Sequence, residues 1–257
     1  MRLGEHLRAR RDAGRKLLIP YLCGGLGDDW VECVWAAIDA GADAVEIGIP
    51  FSDPMIDGPV IQRASQLALD GGATPLGILG EIGRADFAVP IAVMTYYNLL
   101  HHAGLERFAG WMADSRVQGG IFPDLSLEES GPWRKAAESR GLETVQLVAP
   151  STSTARAERI CEVAEGFIYG VGVMGVTGER ATLASSATEI GKRLKSITDK
   201  PVLIGIGVST PSQAYEASQS ADGVVVGSAV VRRVLDGEGP KGVGAFVGEL
   251  RRAIDGD

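Results

Sequence analysis

Basic residues are in the minority: 25 Lys and Arg against 33 Asp and Glu leave a formal charge of −8 and a pI near 5.0. A basic groove for a nucleic-acid backbone is not expected of such a chain, although a local anion site built from backbone N–H groups stays open. Cysteine is scarce. Cys23, Cys33 and Cys161 are odd in number and too far apart for a metal knuckle, so reduced thiols in a cytoplasmic protein are expected. No run approaches the roughly 18 apolar residues of a membrane span. Met1-Arg2-Leu3-Gly4-Glu5-His6 carries no apolar signal core, so a soluble chain is expected. No Pro/Ser-rich linker divides the chain, and no metal-ligand spacing occurs in it.

Glycine, by contrast, is abundant, with 35 residues and no low-complexity tract to account for them. That points to many tight strand-to-helix connections or phosphate-cradling loops. Short apolar runs recur between helical stretches. Lys16–Leu22 comes first, followed by Ala44–Ile47, Ile91–Thr95, Gly120–Phe122, Thr144–Val148, Phe167–Tyr169, Val202–Ile206 and Gly223–Val226. Amphipathic segments separate them: a helix capped by Asp28 or Asp29, then Pro75–Gly83, Leu105–Ser115, Pro132–Arg140, Ala155–Ala164, Ala187–Ile197 and Ser212–Ala217. Ala229–Leu235 and Val243–Ile254 follow the last strand, and Leu3–Ala13 precedes the first. One-period apolar strands alternating with helices predict parallel strands covered by helices. Eight such units are the tally of a (β/α)8 TIM barrel, here a single domain over residues 1–257 with an extra N-terminal helix. A doubly wound open sheet is the alternative, but no Gly-x-Gly-x-x-Gly follows the first strand. An internal echo, Gly41-Ala42-Asp43-Ala44-Val45 against Ser220-Ala221-Asp222-Gly223-Val224, supports repetition of one unit.

The stretch from Glu46 to Pro59 departs most from this routine. Glu46 is a carboxylate in the middle of an apolar strand, where desolvation costs several kcal/mol (~2–7 for a polar group) unless the acid is paired, protonated or used. Asp53 and Asp57 follow on a loop with three prolines. Proton transfer is one reading; a Glu46 paired with a buried base, and aspartates that only cap turns, is the other. In a barrel, the ends of strands and the loops after them converge on one face, so Glu46 and Asp57 would approach one pocket from a rigid and a mobile support.

A second constellation lies late in the chain. Gly175-Val176-Thr177-Gly178 follows the sixth strand, Gly205-Ile206-Gly207 the seventh, and Gly227-Ser228 the eighth, where a helix opens. Glycines here let backbone N–H groups approach an anion, and loops after strands seven and eight are the recurrent phosphate site of such barrels. Tyr169 ends the sixth strand and either lines the pocket or fills the core. Tyr96, Tyr97, Asn98 and Asp124 are lesser candidates. His6, His101 and His102 read as solvated surface, and Cys23, with no basic neighbour, is no nucleophile.

Pro50-Phe51-Ser52-Asp53-Pro54 with Asp57-Gly58-Pro59, together with the late glycine loops, closely resembles the tryptophan synthase alpha chain family, in order and over essentially the whole chain. The resemblance implies retro-aldol cleavage of indole-3-glycerol phosphate to indole and glyceraldehyde 3-phosphate, with no cofactor in this chain. It implies that Glu46 is the acid–base group and that Asp57 holds the indole N–H. It implies that Tyr169 and Thr177 fall in the substrate pocket, to which Tyr96 is added from its place after the third strand, and that Gly178, Gly207, Gly227 and Ser228 contact the phosphate. It further implies a beta-chain partner that carries pyridoxal phosphate, assembled as an alpha2beta2 heterotetramer, with Asp53 and Pro54 on the loop touching it. The Cys23-Gly24-Gly25 turn and Ile56 depart from the family's usual residues without removing a catalytic group. A free-standing lyase and a non-catalytic activator of a beta chain are the alternatives; both carboxylates being present argues against the second.

Overall fold

The computed structural model describes residues 2–172, 180–205 and 207–256. Its strands are β1 (Leu17–Cys23), β2 (Val45–Gly48), β3 (Ile91–Met94), β4 (Gly119–Ile121), β5 (Glu143–Val148), β6 (Ile168–Val171), β7 (Val202–Gly205) and β8 (Gly223–Val226). Each pairs in parallel with the next, and β8 returns to β1, so the sheet closes as a barrel and the open-sheet alternative falls. The helices are α1 (Leu3–Asp12), α2 (Trp30–Asp39), α3 (Pro59–Asp70), α4 (Pro75–Ala85), α5 (Tyr97–Ala103), α6 (Leu105–Asp114), α7 (Gly131–Glu138), α8 (Thr154–Val163), α9 (Arg180–Ile197), α10 (Pro211–Ser218), α11 (Ser228–Leu235) and α12 (Gly239–Asp255).

Strand alternation divides the apolar residues between two layers. On β2, Val45 and Ile47 pack outward among Val34, Ala37 and Ile82 of the helices. The alternate residue Ala44 faces the barrel axis with Leu17, Ile19, Phe167, Leu203 and Val225. Glu46 and Gly48 continue that inward row toward the carboxyl end. The opposite end is plugged by α1, whose Leu3 and Leu7 are wholly buried in the axial cluster, while Gly4 N–H donates to Glu143 Oε2 at 2.9 Å. The N-terminal helix is thus the floor of the barrel.

The internal echo has a structural meaning at that floor. Asp43 Oδ2 accepts the Leu18 N–H at 2.9 Å, and Asp222 Oδ2 accepts the Val202 N–H at 2.8 Å, so each aspartate ties down the start of a neighbouring strand. Arg15 Nε at 2.7 Å and Arg251 Nη1 at 3.2 Å neutralise Asp43, which is 1% exposed. Lys195 Nζ does the same for Asp222 at 2.9 Å. Removing one member of a buried ion cluster leaves its partner charged and unpaired. Asp43→Ala is therefore expected to lower stability by on the order of 3 kcal/mol, read as a reduced urea midpoint; a loss of only a few tenths would count against the cluster.

Several expectations need correction. α3 and α5 are not among the helices that the sequence pattern predicts, and α9 begins at Arg180, earlier than Ala187. Asp29 occupies the N-cap position of α2, but its carboxylate makes no capping bond. His6 is half-buried beside Asp43, and burial is the main cause lowering its pKa; it is not solvated surface. His101 and His102 are exposed as expected.

Candidate active site

At the carboxyl end of the strands lies a cleft of about 220 Å³, walled by Tyr21, Glu46, Asp57, Tyr169, Gly207 and Ser228 among others. Strand β2 delivers Glu46 into it. Register places Glu46 between Tyr21 of β1 and Ala92 of β3, and the side chain is 0% exposed. Among the described residues neither carboxylate oxygen has a hydrogen-bond partner, so the paired-acid reading of Glu46 fails. Burial, and secondly the charge of Asp57, push its pKa from an ordinary 4.5 up to about 8. A carboxyl so placed is protonated at neutral pH and able to donate.

Asp57 comes from the loop after β2, whose last residues are held by side chains from α3 and from just past β3. Gln62 Nε2, in the first turn of α3, donates to the Asp57 carbonyl at 2.8 Å. The Tyr96 hydroxyl, just past β3, accepts the Ile56 N–H at 3.0 Å and donates to Asp57 Oδ2 at 3.1 Å. Its ring stacks on Phe51, centroids 5.0 Å apart. Partial burial raises the Asp57 pKa, and the Tyr96 hydrogen bond opposes that rise. Tyr96 thus stands behind Asp57 and reaches the cleft through it. Asp57 is more than a turn cap: its carboxyl faces the same space as Glu46.

Two tyrosines flank Glu46 by the same local device. Cys23 of β1 pairs with Gly48, and Val171 of β6 pairs with Gly205. Two residues before each paired position, Tyr21 and Tyr169 lie diagonally across the neighbouring glycine. A Cβ on Gly48 would fall 1.9 Å from the Tyr21 hydroxyl, and one on Gly205 would fall 2.1 Å from the Tyr169 ring. Any side chain at either glycine would displace the tyrosine, so glycine here makes room for a neighbour's ring.

The rest of the wall is rich in glycine. Gly205, Gly207, Val208, Gly227 and Ser228 line it. Helix α11 opens at Ser228 with no side-chain cap on its first turn, which leaves N–H groups and the positive end of the helix toward the cleft. Thr177 and Gly178, expected here, lie outside the described residues, as does Ile206.

The remaining candidates separate from the cleft. Asp53 is exposed and Pro54 half-buried on the loop crest, beside Met55 and Ile56, which are 91% and 58% exposed. Both Asp124 carboxylate oxygens accept the Tyr97 N–H, at 2.9 and 3.0 Å, so these two residues tie the start of α5. Cys23 is buried, and desolvation pushes its thiol up to about 12, out of reach of nucleophilic use. No cluster of three potential metal ligands occurs among the described residues. Sequence reasoning missed Tyr21, Met94, Ile61 and Val225 on the cleft wall. The register with Glu46 identifies Tyr21, but a continuous apolar run gives no clue to which face each residue takes.

The arrangement sets a buried carboxyl with a raised pKa and a second acid in one cleft with a glycine-rich wall and the uncapped start of α11. Comparison with known proteins agrees in sequence and in shape. The family profile described as tryptophan synthase alpha chain matches residues 7–245. The tryptophan synthase alpha chain of Streptomyces coelicolor is 43% identical over 99% of this chain and 97% of its own length. That of a Picosynechococcus species is 42% identical, covering 98% of both. Among solved structures, tryptophan synthase from Mycobacterium tuberculosis superposes with a TM-score of 0.89 at 38% identity over 98% of each chain. The alpha subunit from Legionella pneumophila does so at 0.87 and 28% identity, over 99% of this chain and 98% of that one.

Proposed function

Because the chain belongs to the tryptophan synthase alpha chain family, we propose that Glu46 and Asp57 carry the family's reaction in this protein. That reaction is the retro-aldol cleavage of indole-3-glycerol phosphate to indole and glyceraldehyde 3-phosphate in tryptophan biosynthesis. A bond from carbon to an aromatic ring breaks only after the ring carbon that bears it is protonated. Glu46, neutral at physiological pH, gives that proton. Asp57, latched by Tyr96, accepts the indole N–H and offsets the cation that forms in the ring. Glu46, now a carboxylate, takes the proton from the side-chain hydroxyl. The oxygen's electron pair becomes the second carbon–oxygen bond of the aldehyde, and the carbon–carbon pair returns to the ring.

The single observation that carries this reading is Glu46 itself: wholly buried, without a hydrogen-bond partner among the described residues, and lining a cleft it shares with Asp57 and a glycine-rich wall. Gly207, Gly227 and Ser228 hold the phosphate, and Tyr169 packs beside Glu46. Thr177 and Gly178 keep the roles that the resemblance implies. Gly207→Asp sets a negative charge against the phosphate and is expected to raise KM about tenfold or more, with a smaller change in kcat. An unchanged KM would remove Gly207 from the clamp.

The partner is a beta chain holding pyridoxal phosphate, in an alpha2beta2 assembly that receives the indole. It docks on the loop crest at Asp53 and Pro54, beside exposed Met55 and Ile56. A biosynthetic lyase with three buried free thiols belongs in the cytoplasm; no helix among the described residues is long and apolar enough to cross a membrane. Indole release from indole-3-glycerol phosphate, with and without a beta chain, tests the reading. Cleavage stimulated by the partner is expected. Full activity alone, unchanged by a beta chain, would make the chain a free-standing lyase, and stimulation of the beta chain without cleavage would make it an activator.

A further inference from the structure

Among the described residues that line the cleft, Tyr21 and Tyr169 carry hydroxyls to which the reaction above gives no task, and of the two it is Tyr21 that sits on the strand next to Glu46. It neighbours Glu46 directly, as its Cα partner across the β1–β2 ladder, so both side chains point to the axial face side by side. The strand turns its hydroxyl toward the mouth, over Gly48, where the absence of a Cβ leaves it room. Both groups line the same cleft, yet neither Glu46 oxygen is bonded to the Tyr21 hydroxyl. A substrate oxygen entering there can meet both. A phenylalanine would fill the same space with the same ring, so packing alone does not account for a hydroxyl at this spot. Burial, followed by the charges of Cys23, Asp57 and Glu46, keeps the phenol protonated well beyond the neutral range, which leaves it a donor throughout turnover.

We infer that Tyr21 is a further catalytic residue, whose hydroxyl donates a hydrogen bond to the side-chain hydroxyl oxygen of the substrate while Glu46 removes that oxygen's proton. No proton leaves Tyr21. The hydroxyl proton passes to the Glu46 carboxylate, the oxygen carries partial negative charge as its pair moves into the carbonyl, and the Tyr21 O–H sits against that charge. Because the bond strengthens as charge develops, it acts on kcat more than on KM.

This inference rests on the retro-aldol reading, and one experiment separates their failures. Steady-state indole release from indole-3-glycerol phosphate is measured for wild type and Tyr21→Phe, each saturated with beta chain. Tyr21→Phe keeps the ring over Gly48 and is expected to lower kcat roughly tenfold, with KM held within about twofold, the scale of one hydrogen bond to a charge-bearing atom. The held KM doubles as the check that the variant is folded. A kcat within twofold of wild type, or a loss confined to KM, overturns the assignment. If wild type itself releases no indole, the functional reading has failed instead.

Discussion

Glu46→Gln is expected to lower kcat for cleavage by ~10²–10⁴-fold, the scale for losing a general acid–base group, while KM moves little. Glutamine keeps the volume of the side chain and fits the same slot between Tyr21 and Ala92. It cannot give up a proton at neutral pH or take one back, so both halves of the reaction stop. The same substitution should stabilise the fold, and the sign follows from linkage. Burial and the charge of Asp57 hold the folded-state pKa at about 8, above the 4.5 of an exposed carboxyl. The folded protein therefore binds this proton more tightly than the unfolded chain. Stability is full below about pH 4.5 and falls as pH rises through about 8. At one pKa unit per ~1.4 kcal/mol, the loss is on the order of a few kcal/mol. Glutamine removes it, so the variant's gain in thermal midpoint should grow between those two pH values and level off above. Near-wild-type turnover would reject Glu46 as the acid; a gain independent of pH would reject its raised pKa.

Asp57→Asn is expected to cost about a hundredfold in kcat, for a different reason. Asparagine can keep one bond to the Tyr96 hydroxyl and one to an indole N–H, but it brings no negative charge to the protonated ring. The charge of Asp57 is also the second cause of the raised Glu46 pKa. Its removal should move the Glu46 titration to lower pH, so the residual activity loses its proton donor at a more acidic pH than wild type does. A kcat within a few-fold of wild type would return Asp57 to the role of a loop anchor. Loss of activity without movement of the pH profile would show that the two carboxyls do not share one space.

How much of this was legible in the sequence depended on whether the signal was local. The eight strands could be read because each is a short apolar run set between helical stretches, most of them with a glycine or proline at one end. Glu46 stood out because a carboxylate in such a run has few explanations. α3 and α5 escaped for opposite reasons. α3 begins at Pro59, straight after a proline-rich loop that masks its start. α5 is only seven residues long, too short for a helical period to declare itself. The cleft wall was hidden more deeply. Tyr21 belongs to it because β1 pairs with β2 in one register and not another, and register is a tertiary fact. Tyr96 was legible as a residue near the pocket, but its work behind Asp57 required the fold of the loop. The echo around Asp43 and Asp222 was visible as repetition; that it pins strand starts at the barrel floor was not.

Cleavage by this route requires one carboxyl to stay protonated at neutral pH while it faces the substrate. The most direct test is a ¹³C NMR titration of the Glu46 side-chain carboxyl in the folded protein, assigned by its disappearance in Glu46→Gln. A midpoint near 8, moved to lower pH in Asp57→Asn, is the predicted result. A midpoint near 4.5 in wild type would contradict it, because Glu46 would then be ionised at neutral pH with no proton to give.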